Sequence, residues 1–274
     1  MQNWLIKAWH QWLKRPYYLA KTYDQGTGPG IVLLHGIGRT GNVWKRVTEL
    51  LKTAAPYNRL VAFDLLGFGG SPKPDHLQYT VDDHAAAVIA SIMKSRITKP
   101  VVLVGHSMGC LVAVRVAYLR PDLARHLVLY EMPLYEGLPE TWHYRTRINA
   151  YFKLYDWIAR QNPTFDETKR QLKKRLAARV VGADLRAESW QPYVKSLKNT
   201  IMKQSAAHDL PQLTMPADII YGRLDLLVIR GKVQQTLGLD SKLVTLHTIK
   251  ERHVISDQAS QFIVERVTAV FVKK

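Results

Sequence analysis

The stretch VVLVGHSMGCLVAVRVAYL, residues 101–119, decides the fold of this chain. Its first four residues are apolar and mostly β-branched, which is typical of a buried strand, and a helical pattern begins at Met108. Between them, Gly105, Ser107 and Gly109 form the pattern G-x-S-x-G, in which a sharp strand-to-helix turn exposes a serine hydroxyl above a sheet. The two glycines lack side chains that would collide across such a turn. The stretch therefore predicts a nucleophilic serine at position 107 rather than an incidental turn residue.

Outward from this turn, short apolar runs alternate with helical patterns along most of the chain. The apolar runs do not alternate with polar residues, as is expected of parallel strands that are covered on both faces. The predicted strands are Ile31–Leu34, Leu60–Phe63, Val101–Val104, Leu127–Tyr130, Ala217–Tyr221 and Leu243–Ile249. The predicted helices are Val43–Ala55, Val81–Ile97, Met108–Leu119, Leu226–Leu237 and Gln258–Val272. We expect an α/β fold with a mainly parallel, doubly wound sheet.

One stretch, residues 133–211, interrupts the alternation with helical periodicity, many basic residues and several aromatic ones. We interpret it as a helical cap inserted into a core formed by residues 17–132 and 212–274. Some of its aromatic side chains either line an apolar substrate pocket or pack within the cap, and the candidates for the pocket are Trp142, Tyr151 and Tyr155.

The N-terminal residues 1–16 have a different pattern. Trp4, Trp9 and Trp12 fall on one face of a predicted amphipathic helix, and basic residues occupy much of the rest. Such a helix either docks on the protein or a partner, or lies on an anionic membrane surface.

Charge, cysteine content and hydropathy bear on the partners and the location of the protein. The net charge is +17, but the basic residues are spread through the 274-residue chain without a nucleic-acid-binding motif, so we expect no nucleic-acid partner. Cys110 is the one cysteine, which excludes an intrachain disulfide and fits a reducing compartment. No apolar run is long enough for a membrane span, and the first residues are not typical of a signal peptide. We expect a cytoplasmic protein, with peripheral contact to a membrane surface left open.

A serine hydroxyl needs a general base, and position selects it among ten histidines. His253 follows the last predicted strand after a short loop, where a base can approach Ser107. His247 lies within that strand, which should fix its orientation.

A carboxylate should orient the base and hold its tautomer. Asp225 follows a predicted strand and gives the chain order Ser107, Asp225, His253. Glu131, just beyond the preceding strand, is the competing acid. Asp64 is disfavoured because it precedes the serine in the sequence.

The oxyanion of an acyl-transfer reaction needs hydrogen-bond donors. One candidate is the backbone N–H of Met108, directly after the nucleophile. The other is the N–H of Ile37, in the glycine-rich loop after the first predicted strand. His35 and Gly36 belong to the same loop and are candidate substrate-binding residues.

Taken together, these motifs resemble the α/β-hydrolase superfamily, specifically its cap-bearing, esterase-like members. The resemblance spans Tyr17 to the C-terminus and rests on His35-Gly36, on DLLGFGGS (residues 64–71), GHSMG (105–109) and GRLD (222–225), and on His253. It implies a mainly parallel sheet, a helical cap and a reaction without cofactor or metal. Arg252 departs from the pattern, because relatives often carry glycine before the catalytic histidine.

The sequence thus predicts a serine hydrolase that cleaves a small carboxylic ester through an acyl-enzyme. A C–C bond hydrolase, a thioesterase, an amidase or a lipid acylhydrolase on the same triad stays open, as does a ligand-binding receptor on this fold. Epoxide hydrolases and dehalogenases would normally carry aspartate in place of Ser107.

Overall fold

A computed structural model describes residues 15–134, 187–225 and 242–272, together with residues 10, 153 and 228. Within these ranges the strands are β1 (Lys21–Gln25), β2 (Pro29–Leu34), β3 (Arg59–Phe63), β4 (Thr98–His106), β5 (Ala124–Tyr130), β6 (Ala217–Gly222) and β7 (Val244–Ile249). The α-helices are α1 (Lys45–Ala54), α2 (Val81–Lys94), α3 (Met108–Leu119), α4 (Trp190–Ser196), α5 (Ala206–Asp209) and α6 (Asp257–Val272).

The strands form one sheet in the order β1-β3-β2-β4-β5-β6-β7. Every neighbouring pair is parallel except β1 and β3. Because β2 lies between β3 and β4, the winding of the sheet reverses there, and the carboxyl ends of β2 and β4 border the crevice where open α/β sheets bind ligands. The predicted mainly parallel, doubly wound sheet is confirmed.

Both faces of the central sheet are covered, which explains why the strands are apolar throughout. In β2, Val32 and Leu34 belong to the core cluster that contains the apolar faces of α2 and α3. The residues that alternate with them, Ile31 and Leu33, belong to the cluster that contains α1 and α6. Each strand residue therefore buries its side chain on one side or the other, with a fully buried leucine contributing about 1.5–3 kcal/mol.

The two edges of the sheet depart from the sequence-based prediction. No strand was predicted at β1, whose residues are all exposed or half-buried. It is held by antiparallel pairing with β3 and by Asp24, whose carboxylate accepts hydrogen bonds from Arg59 at 2.8 and 2.9 Å. The expectation that every predicted strand is covered on both faces is wrong for β7, where no residue is buried.

Several predictions fall outside the described residues. They include nearly all of the N-terminal helix of residues 1–16, most of the cap with Trp142, Tyr151 and Tyr155, and almost all of the helix Leu226–Leu237. Residues 187–211, the described C-terminal part of residues 133–211, are mostly helical and pack on the core. Thr200 donates its hydroxyl to the carbonyl of Tyr79 at 2.7 Å there.

Among the described helices, none combines the length and the apolar character that crossing a membrane requires.

Candidate active site

The turn between β4 and α3 places Ser107 at the carboxyl end of the sheet. Its backbone has φ 52° and ψ −119°, which strains a residue with a side chain. The turn is compact enough that a Cβ on Gly105 would lie 2.7 Å from the Cα of Cys110, and one on Gly109 would collide with the carbonyl oxygen of Leu34. Both glycines are therefore required, as the sequence pattern predicts.

Ser107, His253 and Asp225 form a continuous hydrogen-bonded chain. The distance from Ser107 Oγ to His253 Nε2 is 3.0 Å, and that from His253 Nδ1 to Asp225 Oδ2 is 2.7 Å. The side chain of Asp225 is 1% exposed and that of His253 is 16% exposed. A carboxylate can only accept, so Nδ1 carries the proton and Nε2 is left to accept from the serine hydroxyl. This tautomer allows His253 to take the serine proton.

The loops that carry Asp225 and His253 are joined by backbone hydrogen bonds. Leu224 N–H donates to the carbonyl of Glu251 at 2.9 Å, and Arg223 N–H donates to the carbonyl of Ile249 at 2.7 Å. These bonds extend the pairing of β6 and β7 beyond the ends of the strands. The Asp225 and His253 side chains consequently leave the sheet side by side.

Glu131, the competing acid, has a different partner. It is fully buried, with φ 53°, and its Oε1 accepts the backbone N–H of Gly222 at 2.6 Å. Ligand atoms of Glu131, Asp225 and His253 all lie within 4.8 Å of one another, the one grouping of this kind that could hold a metal ion among the described residues. The Nδ1 of His253 faces Asp225 and its Nε2 faces Ser107, so both ring nitrogens already have partners.

The loop after β2 touches the serine turn. A Cβ on Gly36 would lie 3.1 Å from the Cβ of Ser107. Ile37 is 4% exposed, and Met108 is fully buried. Met108 is the first residue of α3, where backbone N–H groups have no carbonyl acceptor within their own helix. The two candidate oxyanion donors thus belong to segments in contact with each other.

His35 is buried completely, with both ring nitrogens engaged. Its Nδ1–H donates to the carbonyl of Gly36 at 2.7 Å, and its Nε2 accepts the N–H of Leu65 at 2.8 Å. Burial lowers the pKa of His35 to about 4, so the ring is neutral at pH 7. The imidazole links the loop after β2 to the loop after β3.

His106, the residue before Ser107, is buried at the serine turn. Its Nε2–H donates to the backbone carbonyl of His253 at 2.7 Å. Burial lowers its pKa to about 3, and the nearby His253 adds to this effect. His106 is therefore a neutral donor rather than an acid or base.

The two remaining candidates, Asp64 and His247, form hydrogen bonds with other residues. The Asp64 carboxylate accepts the N–H groups of Gly41 and Gly70 at 2.7 and 2.8 Å, which fixes the surrounding loops. His247 lies within β7 and bonds Asp218 at 2.6 Å through Nε2. Both findings agree with the preference for Asp225 and His253.

Cys110 is a buried free cysteine in the core beside the serine turn. Its Sγ–H donates to the carbonyl of Tyr130 at 3.2 Å. Burial raises the pKa of this thiol, which makes it unreactive.

The model of the family described as alpha/beta hydrolase matches residues 31–265 of this chain. The chain belongs to the α/β-hydrolase family. Among curated relatives, it is 26% identical to 2-hydroxymuconate semialdehyde hydrolase of a Pseudomonas species, over 75% of this chain and 74% of that one. It is 31% identical to pimeloyl-[acyl-carrier protein] methyl ester esterase of Vibrio vulnificus, over 74% and 79% of the two chains. A probable lysophospholipase of Arabidopsis thaliana, BODYGUARD 1, is 32% identical over 41% of this chain, but the match spans only 24% of that protein's length.

Solved structures show the same fold. The enol-lactonase of Burkholderia xenovorans covers 93% of this α/β-hydrolase with a TM-score of 0.68 at 19% identity, and 96% of that chain is matched. Family membership and these relatives make the protein an enzyme of the hydrolase class.

Sequence reasoning missed one residue at the site. Tyr130, the last residue of β5, donates its hydroxyl to the loop that carries His253, at 2.8 Å from the carbonyl of Arg252. The available signal was a hydroxyl-bearing aromatic residue at the carboxyl end of an otherwise apolar central strand. A pattern of this kind does not say which distant loop the hydroxyl reaches.

Proposed function

We propose that this α/β-hydrolase cleaves a small carboxylic ester, with Ser107 as nucleophile, His253 as general base and Asp225 as the acid that orients the base. The observation that carries the proposal is the unbroken chain of hydrogen bonds, 3.0 Å from Ser107 to His253 and 2.7 Å from His253 to Asp225. Its order and geometry are those that a serine-based acyl transfer requires.

The reaction runs in two halves. Ser107 Oγ attacks the ester carbonyl while His253 Nε2 takes the serine proton, and Asp225 stabilises the imidazolium. The N–H groups of Ile37 and Met108 donate to the oxyanion. When the tetrahedral intermediate collapses, His253 returns the proton to the leaving alcohol. Water then attacks the acyl-enzyme by the same route and releases the carboxylic acid.

The substrate meets the backbone of the loop after β2 rather than the ring of His35. This side chain is fully buried and both of its nitrogens are engaged, so its contribution is to hold the loop in place. Gly36 leaves room for close approach to the serine. A cap of residues 133–211 would cover the site, with Trp142, Tyr151 and Tyr155 lining its apolar part.

The relatives support two kinds of bond as the one that this enzyme cleaves, an ester bond and a C–C bond. The esterase of Vibrio vulnificus acts on a methyl ester, by its name, and matches three quarters of this chain. A C–C bond hydrolase is the second candidate, because 2-hydroxymuconate semialdehyde hydrolase matches this chain over a similar share of its length. Both reactions use a serine and a histidine on this fold, so the triad alone cannot separate them.

The nucleophile is tested by Ser107→Ala. Turnover of a p-nitrophenyl ester should fall by roughly five or more powers of ten, as it does when the nucleophile of a serine protease is removed. A fluorophosphonate probe should label the wild type and not the variant. Labelling that survives the substitution would overturn the assignment of Ser107.

The bond that is cleaved is tested by a panel of substrates. A chain-length series of p-nitrophenyl esters is compared with thioester and anilide analogues and with a dienolic diketone that has the same acyl chain. The proposal expects the highest kcat/KM for an ester. A preference for the diketone would instead assign the protein to the C–C bond hydrolases.

A further inference from the structure

We infer that Tyr130 is a positioning residue that holds the His253 loop in register with Ser107, and that His106 shares this role. The inference rests on the proposed function, since it concerns how the proposed base meets the proposed nucleophile. The Tyr130 hydroxyl is shared between the carbonyls of Arg252 at 2.8 Å and Val254 at 3.2 Å. These carbonyls flank the catalytic histidine on either side.

The backbone of Tyr130 holds the other partner. Its carbonyl accepts the N–H of Ser107 at 3.0 Å. One residue thus fixes the nucleophile through its main chain and the base through its side chain. Because Tyr130 is fully buried at the end of a central strand, it offers a rigid reference for both.

His106 also holds the loop that carries His253. Its Nε2–H donates to the carbonyl of His253 at 2.7 Å, between the two carbonyls that Tyr130 contacts. The two rings stack, with centroids 5.7 Å apart and an angle of 26° between their planes. The carbonyls of three consecutive residues, 252 to 254, are therefore engaged by two side chains.

The surroundings of the loop explain why such donors are needed. Arg252 is exposed and Val254 is 49% exposed, so the outer side of the turn has little packing to fix it. The hydrogen bonds on its inner side define its position. A shift of about 1 Å between reacting groups can cost around 100-fold in rate, so this restraint bears directly on catalysis.

The test is Tyr130→Phe, with Tyr221→Phe as its matched control. Tyr221 is also buried, lies on the neighbouring strand β6, and its hydroxyl has no hydrogen-bond partner among the described residues. Both substitutions delete one buried phenolic oxygen, but only the first removes a hydrogen-bond donor from the His253 loop. Tyr221→Phe should leave kcat within about twofold of the wild type.

For Tyr130→Phe we expect kcat to fall about 10- to 100-fold with little change in KM. The acid limb of the pH profile of kcat/KM should also move to lower pH, because a looser bond between His253 and Asp225 stabilises the imidazolium less. A purely structural role would not move this limb. Equal kcat values and equal acid limbs for the two phenylalanine variants would overturn the inference.

A second pair of variants tests the positioning role if Tyr130→Phe does not fold. His106→Gln keeps an N–H donor, whereas His106→Leu has none. The inference expects glutamine to retain most of kcat and leucine to lose at least about tenfold, and it is wrong if the two are equally active. Ser107→Ala separates this outcome from a failure of the proposed function, because that variant tests the nucleophile whatever holds the base.

Discussion

At the scale of single residues, the choice between two buried carboxylates decides which acid orients the base. Asp225 contacts His253 Nδ1 at 2.7 Å, whereas Glu131 accepts the N–H of Gly222 at 2.6 Å. We therefore predict that Asp225→Asn lowers kcat by about 10⁴, because an asparagine favours the wrong tautomer of the base. Glu131→Gln should cost less than about tenfold, since it weakens one hydrogen bond to the backbone.

The comparison is made with kcat of a soluble p-nitrophenyl ester, and urea unfolding of both variants serves as the control for folding. If Glu131→Gln proves the more damaging to kcat while both proteins stay folded, the acid follows β5 and Asp225 has a structural role.

The sequence predicted part of this site for a clear reason. Ser107 is marked by glycines that local sterics demand, so its pattern is contained within five consecutive residues. Asp225 and Glu131 both follow strands of the same parallel sheet, and both lie between Ser107 and His253 in the chain, so chain order does not separate them. Tyr130 was missed because its role depends on a contact with carbonyls more than 120 positions away.

At the scale of elements, burial determined which strands could be predicted. β2 and β4 are covered on both faces, and their apolar runs predict them as buried strands. β1 has the sequence KTYDQ and no buried residue, so its structure comes from main-chain pairing with β3. Main-chain hydrogen bonds are available to any sequence except proline, which explains why the composition of β1 gave no signal.

Arg115, a residue of α3, bonds one carboxylate in α2 and one in α5 and so links both helices to α3. Asp82, in α2, is 61% exposed and lies 2.7 Å from Arg115; Asp209, in α5, has a fully buried side chain at 3.0 Å. Ser205 also donates to Asp209, at 2.6 Å. One arginine thus offers an internal comparison between an exposed and a buried ion pair.

We predict that Asp209→Asn lowers the free energy of unfolding by about 3 kcal/mol, because it removes one partner of a buried ion pair. Asp82→Asn should cost less than about 1 kcal/mol, because solvent screens the exposed pair. Urea unfolding at pH 7 measures both values. Equal losses for the two variants would show that burial of Asp209 adds nothing to the pair.

At the scale of the whole molecule, three imidazoles of the described residues are buried without charge. Burial lowers the pKa of His35 to about 4 and those of His84 and His106 to about 3. Each has a structural partner: His84 bonds Ser196 at 3.1 Å and thereby joins α2 to α4. In the unfolded chain the same side chains titrate near pH 6.5.

These values predict a steep loss of stability in acid. Below about pH 6.5 the unfolded chain binds three protons that the folded protein excludes, so the free energy of unfolding falls as the pH drops towards about 4. Near pH 5 the slope from the three groups is about 4 kcal/mol per pH unit, and their stabilising contribution is fully present above pH 7. Urea unfolding at closely spaced pH values between 5 and 7.5 measures the slope.

The variant His84→Gln tests the origin of this slope. It lowers stability at pH 7 through its lost contact with Ser196, but it should also reduce the slope by about a third, which a loss of packing alone would not do. A slope that is flat across this range, or one that His84→Gln leaves unchanged, would mean that these histidines accept protons within the folded protein.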